Sequence, residues 1–165
     1  MKKVILGATG SIGSSLARKL AESGEQVHLV GRDEDSLSEL ANELNSTFTT
    51  CDVLEENFSE KIVNDLKDEQ VNGLAYCVGS IDLKPLKLTK KSDFMQSFNL
   101  NLVSATEIIK SFADNLKASK GSIVLFSTVA VKQGFPNHAI VSSAKGAIEG
   151  LSLALAAEYA PNIRV

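Results

Sequence analysis

Near the amino terminus, the run Val4-Ile5-Leu6-Gly7-Ala8-Thr9-Gly10-Ser11-Ile12-Gly13 sets three glycines three residues apart, after an apolar stretch and before a helical pattern. Such spacing suits a phosphate. Gly7 permits a tight turn, Gly10 lets backbone approach a pyrophosphate, and Gly13 lets a helix pack close on a strand. The helix N-terminus then offers unpaired N–H groups and the positive end of its dipole to an anion. With no ligand, the same run is a structural turn. Further on, Leu29-Val30-Gly31-Arg32 ends a second apolar stretch. A dinucleotide fold that prefers NAD carries an acid here to accept from the ribose 2′-OH. Gly31 instead leaves room for a 2′-phosphate, and the Arg32 guanidinium pairs with phosphate in bidentate fashion. The expected cofactor is NADP, with NAD less favoured; the competing reading makes Arg32 a solvated loop charge beside Asp33.

The elements that position these residues alternate along the chain. Strands are expected at Val4–Leu6, Val27–Val30, Phe48–Val53, Leu74–Val78 and Ser122–Phe126, with a sixth beginning at Ile163–Val165. Helices are expected at Ser14–Ser23 and at Asp33–Leu44, where Leu37, Leu40, Ala41 and Leu44 share one face. A third helix carries Phe58, Ile62 and Leu66 on one face. A single long helix runs over Ser92–Leu116 with Ser92 as its N-cap, and another covers Ser142–Tyr159. Strict alternation with fully apolar strands predicts a doubly wound α/β domain of the Rossmann type, a parallel sheet with helices on both faces. Its ligands bind at the carboxyl ends of the strands.

The chain has 165 residues, enough for one domain over 1–165. Apolar residues make up 44% and charged residues 22%, which supports a core and excludes disorder as the main state. A net charge of -3, with charge scattered, argues against a nucleic-acid or membrane-surface binder. Apolar runs fall well short of the ~20 residues that span a bilayer. The apolar start stops at Gly7, leaving no signal-peptide core, so a cytoplasmic protein is expected. Cys51 and Cys77 form no C-x-x-C pair, so buried free thiols are expected and no metal site.

Taken together the chain resembles the short-chain dehydrogenase/reductase family along its whole length. Gly7-Ala8-Thr9-Gly10-Ser11-Ile12-Gly13 resembles that family's cofactor loop, in the G-x-x-G-x-x-G spacing of its extended and atypical branches. The branch with T-G-x-x-x-G-x-G would put Thr at Leu6 and Gly at Ser11. Asp52-Val53 resembles the adenine-pocket Asp-Val, and Gly79 the last residue of the N-N-A-G segment. Asn101 matches the Asn of the fourth crossover helix, and Ile123–Ala130 resembles the strand that delivers a Ser. Ala144-Lys145-Gly146-Ala147 resembles the helix after Y-x-x-x-K, and Ala156–Val165 the approach to strand six. Members continue beyond that strand into a substrate lid and a seventh strand, which 1–165 lacks.

The resemblance implies hydride transfer between a nicotinamide and a carbonyl or alcohol. In the family a Tyr is the general acid. A Lys four residues on lowers the Tyr pKa and holds the ribose, a Ser orients the substrate, and the Asn holds a relay water. Lys145 fits the Lys, Asn101 the Asn, and Thr128 stands at the Ser. The Tyr position holds Val141, which has no proton to give. Enoyl reductases of the superfamily place their Tyr seven residues before the Lys, where this chain has His138. Carbonyl reduction is therefore expected to be severely impaired unless His138 or a bound water supplies the proton. Ser142 is expected to face away from Val141 on the helix.

The apolar arc on Ser92–Leu116 and Ser142–Tyr159 is broad, and in relatives these helices form a four-helix interface, so a homodimer or homotetramer is expected. The leading functional expectation is an NADP-dependent oxidoreductase acting on a small-molecule substrate. A cofactor-binding sensor or regulatory protein without redox chemistry comes second. An isomerase or lyase of the same fold, or a non-binding scaffold, follows.

Overall fold

The computed structural model describes residues 1–67 and 69–165. Five strands form one sheet: β1 (Lys2–Leu6), β2 (Gln26–Gly31), β3 (Thr47–Thr50), β4 (Val71–Tyr76) and β5 (Ser122–Leu125). Their order is β3-β2-β1-β4-β5 and every pairing is parallel. The order reverses between β1 and β4, so a crevice opens there at the carboxyl ends of the strands.

Side-chain alternation along β1 builds two cores. Val4 and Leu6 join Val30, Phe58, Ile62, Ile108 and Phe112 on one face. Ile5 joins Leu29, Ala17, Leu37 and Leu40 on the other. That second face is covered by α1 (Ser11–Glu22) and α2 (Glu34–Leu44). The first is covered by α3 (Phe58–Asp65), α5 (Ser104–Ala118) and, through Ile148, α6 (Ala139–Tyr159). The doubly wound α/β expectation holds.

Several boundaries differ from the sequence reading, for identifiable reasons. The first helix starts at Ser11, not Ser14, because Gly13 is helical and lies within its first turn. The expected helix Ser92–Leu116 is interrupted. It opens as α4 (Lys91–Phe98), widens into a π turn at Asn99–Val103 and resumes as α5. Two side chains compete for backbone carbonyls at the break. Asn101 Nδ2 donates to Ser97 O at 2.9 Å, and Ser104 Oγ donates to Asn99 O at 2.9 Å. Ser92 is not the N-cap. The cap is Lys90, whose backbone N–H donates to Asp93 Oδ2 at 2.8 Å.

The expected sixth strand is a single parallel bridge between Ser122 and Arg164. Ile123 N donates to Arg164 O at 2.7 Å and Arg164 N to Gly121 O at 3.1 Å, one ladder step. Helix α6 begins at Ala139, earlier than expected, with His138 as its N-cap. Among the described residues this helix is long and apolar enough to cross a membrane by length and composition, at a mean hydropathy of 1.3. That corrects the expectation that no run approaches that length. Its Ile140, Val141, Ala144 and Ile148 are buried in the fold.

At the amino ends of the strands, a buried polar network went unforeseen. His28 is 1% exposed. Its Nδ1 lies 2.8 Å from Thr47 Oγ1 and its Nε2 3.0 Å from Thr49 Oγ1. Thr49 Oγ1 donates to Asp65, and Lys2 Nζ donates to Thr47 Oγ1 at 2.8 Å. The network assigns a neutral ring that donates from Nε2. Burial, aided by the Lys2 charge, pushes the His28 pKa down to about 4 from 6.5. Between those values the unfolded chain binds the extra proton and the folded one does not. Stability therefore falls as pH drops from 6.5 toward 4, by about 3 kcal/mol from this group. Urea denaturation at pH 7 and pH 4 measures it: His28→Gln should lose most of that pH dependence. An equal slope in the variant would contradict the assignment.

Candidate functional site

The crevice at the switch point is a cleft of about 400 Å³. Its floor is the loop between β1 and α1. Gly7 adopts φ +75°, and its N–H donates to Val30 O at 2.9 Å, as does that of Ala8 at 3.0 Å. A Cβ on Gly13 would lie 2.2 Å from Gly7 O, so only glycine lets α1 seat against the loop. Gly10 is the N-cap of α1, with no side-chain cap and no acid in the first turn. The N–H groups of Ser11, Ile12 and Gly13 open that turn, free to meet an anion. Thr9, Ser11 and Ile12 are exposed around it.

The second wall is formed by the ends of β2 and β3. Arg32 extends from β2, its side chain 77% exposed, with Nη1 3.5 Å from Asp52 Oδ2. Asp33 does not oppose it. Its carboxylate caps α2, accepting from Ser36 N at 2.8 Å, and the Ser36 hydroxyl together with that bond holds its pKa below the usual range. Asp52 Oδ1 accepts from Leu54 N at 3.0 Å, which shapes the turn that carries Val53 into the cleft lining. Thr9 Oγ1 stands 3.5 Å from where a Gly31 side chain would begin.

Three residues distant in sequence meet at the far edge. A Cβ placed on Gly79 would lie 3.1 Å from Asn101 Oδ1 and 3.2 Å from Lys145 Nζ. Asn101 is wholly buried; its Nδ2 is satisfied by Ser97, while its Oδ1 has no partner among the described residues. An orphan buried acceptor is costly and calls for a ligand or water donor. Lys145 makes no ion pair or hydrogen bond among the described residues. Burial lowers its pKa, a shift that a charge on Cys77 would offset. Burial in turn pushes the Cys77 thiol up to about 11. Cys77 and the buried Cys51 both line the cleft, a role the sequence did not signal. Both thiols are free, as expected.

The other candidates are not drawn into this convergence. Thr128 Oγ1 accepts from Ala130 N at 3.3 Å and caps the short turn Val129–Val131. His138 lies seven residues before Lys145, two helical turns or roughly 10 Å away. Its Nδ1 is 2.7 Å from Pro136 O and its ring packs on Phe135. Val141 is 3% exposed, one turn before Lys145. Ser142 Oγ donates to Ala130 O at 3.1 Å. Tyr76 is 2% exposed and its hydroxyl donates to Leu100 O at 2.7 Å.

A family model described as Enoyl-(Acyl carrier protein) reductase matches residues 7–165. A tropinone reductase homolog from Arabidopsis thaliana is 34% identical over 174 residues, covering 99% of this chain and 66% of that protein. L-xylulose reductase from Bos taurus is 29% identical, covering 99% of this chain and 68% of the relative. A solved short chain dehydrogenase/reductase family protein superposes with a TM-score of 0.92 at 25% identity, covering 100% of this chain and 71% of that one. The chain spans 66%, 64% and 65% of the lengths of three Arabidopsis thaliana tropinone reductase homologs.

Proposed function

The chain belongs to the short-chain dehydrogenase/reductase family, and on that premise we propose that it is an NADP-dependent oxidoreductase, transferring a hydride to or from a carbonyl or alcohol. The observation that carries this reading is the meeting of Lys145 Nζ and the orphan Asn101 Oδ1 at Gly79, on the edge of a glycine-floored cleft. The family's cofactor is a nicotinamide dinucleotide. The residues present fit one: a side chain at Gly13 would break the loop, and the first turn of α1 is uncapped for a pyrophosphate. Arg32 at the rim, with Asp33 committed to α2, supports a 2′-phosphate and so NADP over NAD. Bound, that group supplies or accepts the hydride.

The reading is tested by following NADPH absorbance with butane-2,3-dione as the carbonyl probe. Slow but saturable oxidation that depends on the dione is expected. Tight cofactor binding with no turnover would favour the second reading, a cofactor-binding sensor or regulatory protein. One observation favours that alternative: Val141 is buried and apolar where the family carries its acid. The proposal extends to a homodimer or homotetramer packed through α4, α5 and α6, supported by Met95 and Leu153, which are 52% and 76% exposed.

A further inference from the structure

With Val141 at the acid's position, the proton for a reduced substrate must come from elsewhere, and the nearby protic groups can be taken in turn. Ser142 Oγ donates to Ala130 O, and Ser143 Oγ donates to Ala139 O at 2.7 Å. Ser127 Oγ donates to Glu149 Oε1 at 2.6 Å. The Tyr76 hydroxyl is buried and committed to Leu100 O. His138 is held at Pro136 and Phe135, two turns from Lys145. Thr128 bears a hydroxyl, which gives up a proton far less readily than an ammonium.

Lys145 remains. It sits one turn after Val141 on the same helical face, 3.2 Å from the Cβ position of Gly79, with no partner among the described residues. The charged or titratable groups around it are few. Cys77, just after β4, packs against the Ile5 and Leu29 core, and a charge on it would favour the ammonium. Glu149, one turn further along α6, accepts from Ser127 instead. Asn101 Oδ1, on the π turn, reaches the same edge and lacks a donor among the described residues.

We propose that Lys145 is the proton donor of this site, protonating the substrate oxygen directly rather than through a tyrosine. The proposal rests on the oxidoreductase reading. In the step, a bound reduced nicotinamide would supply the hydride to the carbonyl carbon and would itself be oxidised. The C=O π pair moves to oxygen, an N–H bond of Lys145 breaks, and an O–H bond forms. Lys145 is left as a neutral amine. A water held on Asn101 Oδ1 returns the proton, and bulk solvent neutralises the hydroxide. Burial of the ammonium makes it more acidic than a free lysine, which suits a donor.

Arginine separates this role from ribose anchoring. It keeps the positive charge and the donors but does not give up a proton near neutral pH. Lys145→Arg should bind NADPH within about threefold of wild type yet lose about 100-fold or more of butane-2,3-dione reduction. Lys145→Arg combined with Val141→Tyr should regain it, because a tyrosine then supplies the acid. In the free protein, acetic anhydride labelling of Lys145 across pH, read by mass spectrometry, should give a midpoint below that of the exposed lysines. The wild-type reduction rate should fall as pH rises through that midpoint.

Four results would overturn the proposal: reduction by Lys145→Arg within tenfold of wild type, a loss that Val141→Tyr does not restore, a rate flat across the Lys145 titration, or NADPH binding without any reduction by wild type. If wild type binds neither NADPH nor NADH, the oxidoreductase reading itself fails, and this proposal with it.

Discussion

Replacing Val141 with tyrosine raises the rate of carbonyl reduction by up to about 10²-fold, because a positioned general acid contributes about 10²- to 10⁴-fold in all and Lys145 already supplies about 10² of it. Val141 and Lys145 are four residues apart on α6, so their side chains share a face. A phenol there stands beside an ammonium, which lowers its pKa. Asn101 and Gly79 already lie at the Lys145 ammonium's end of that face. The substitution is not free of cost, because Val141 is 3% exposed and packed in the fold. Inserting a larger side chain into such a place costs ~1–3 kcal/mol. The variant should therefore melt several degrees lower while reducing butane-2,3-dione much faster. NADPH affinity should be unchanged. A folded variant that binds NADPH but shows no gain would mean that the remaining groups are not arranged for catalysis.

Gly13→Val should abolish cofactor binding and destabilise the protein by more than about 2 kcal/mol. The obstacle is backbone, not a movable side chain. A Cβ at Gly13 would meet Gly7 O at 2.2 Å and Ala8 Cα at 2.9 Å. Gly7 is itself fixed by its left-handed conformation and its bond to Val30. The strain is relieved only by lifting α1 off the loop, which removes the first-turn N–H groups from the phosphate site. Gly10→Ala is the graded comparison, since its Cβ would lie 3.3 Å from Gly7 O. It should bind NADPH more weakly than wild type but measurably. Equal affinities for wild type and Gly13→Val would show that the cofactor is not bound on this loop.

How much of this was legible depended on whether a residue's role was local. The glycine loop could be read from spacing, because a turn, a helix start and a close contact follow one another in sequence. The alternation of strands and helices was equally local and was recovered, apart from their ends. The π turn was not, because it arises from Asn101 and Ser104 capturing carbonyls that an unbroken helix would use. The His28 network was hidden because threonines and a histidine in a strand look like a surface face. Only pairing β2 with β3 brings Thr47 and Thr49 against that ring. The site was half legible. Lys145 and Asn101 were found by resemblance, but the topology brings them to Gly79, and no spacing rule gives that distance. His138 was suggested by its count back from Lys145, whereas the helix carries it two turns away, against Phe135.

On the proposed reading, the cleft holds NADP through the glycine loop and Arg32. The most direct measurement is a fluorescence titration of the purified chain with NADPH and with NADH in parallel, with Arg32→Ala as the comparison. NADPH should bind at least ~10-fold tighter than NADH, with most of that preference lost in Arg32→Ala, since a charge-assisted phosphate contact is worth about 1.5–3 kcal/mol. Equal affinities for the two cofactors, or a preference that survives the loss of Arg32, would contradict it.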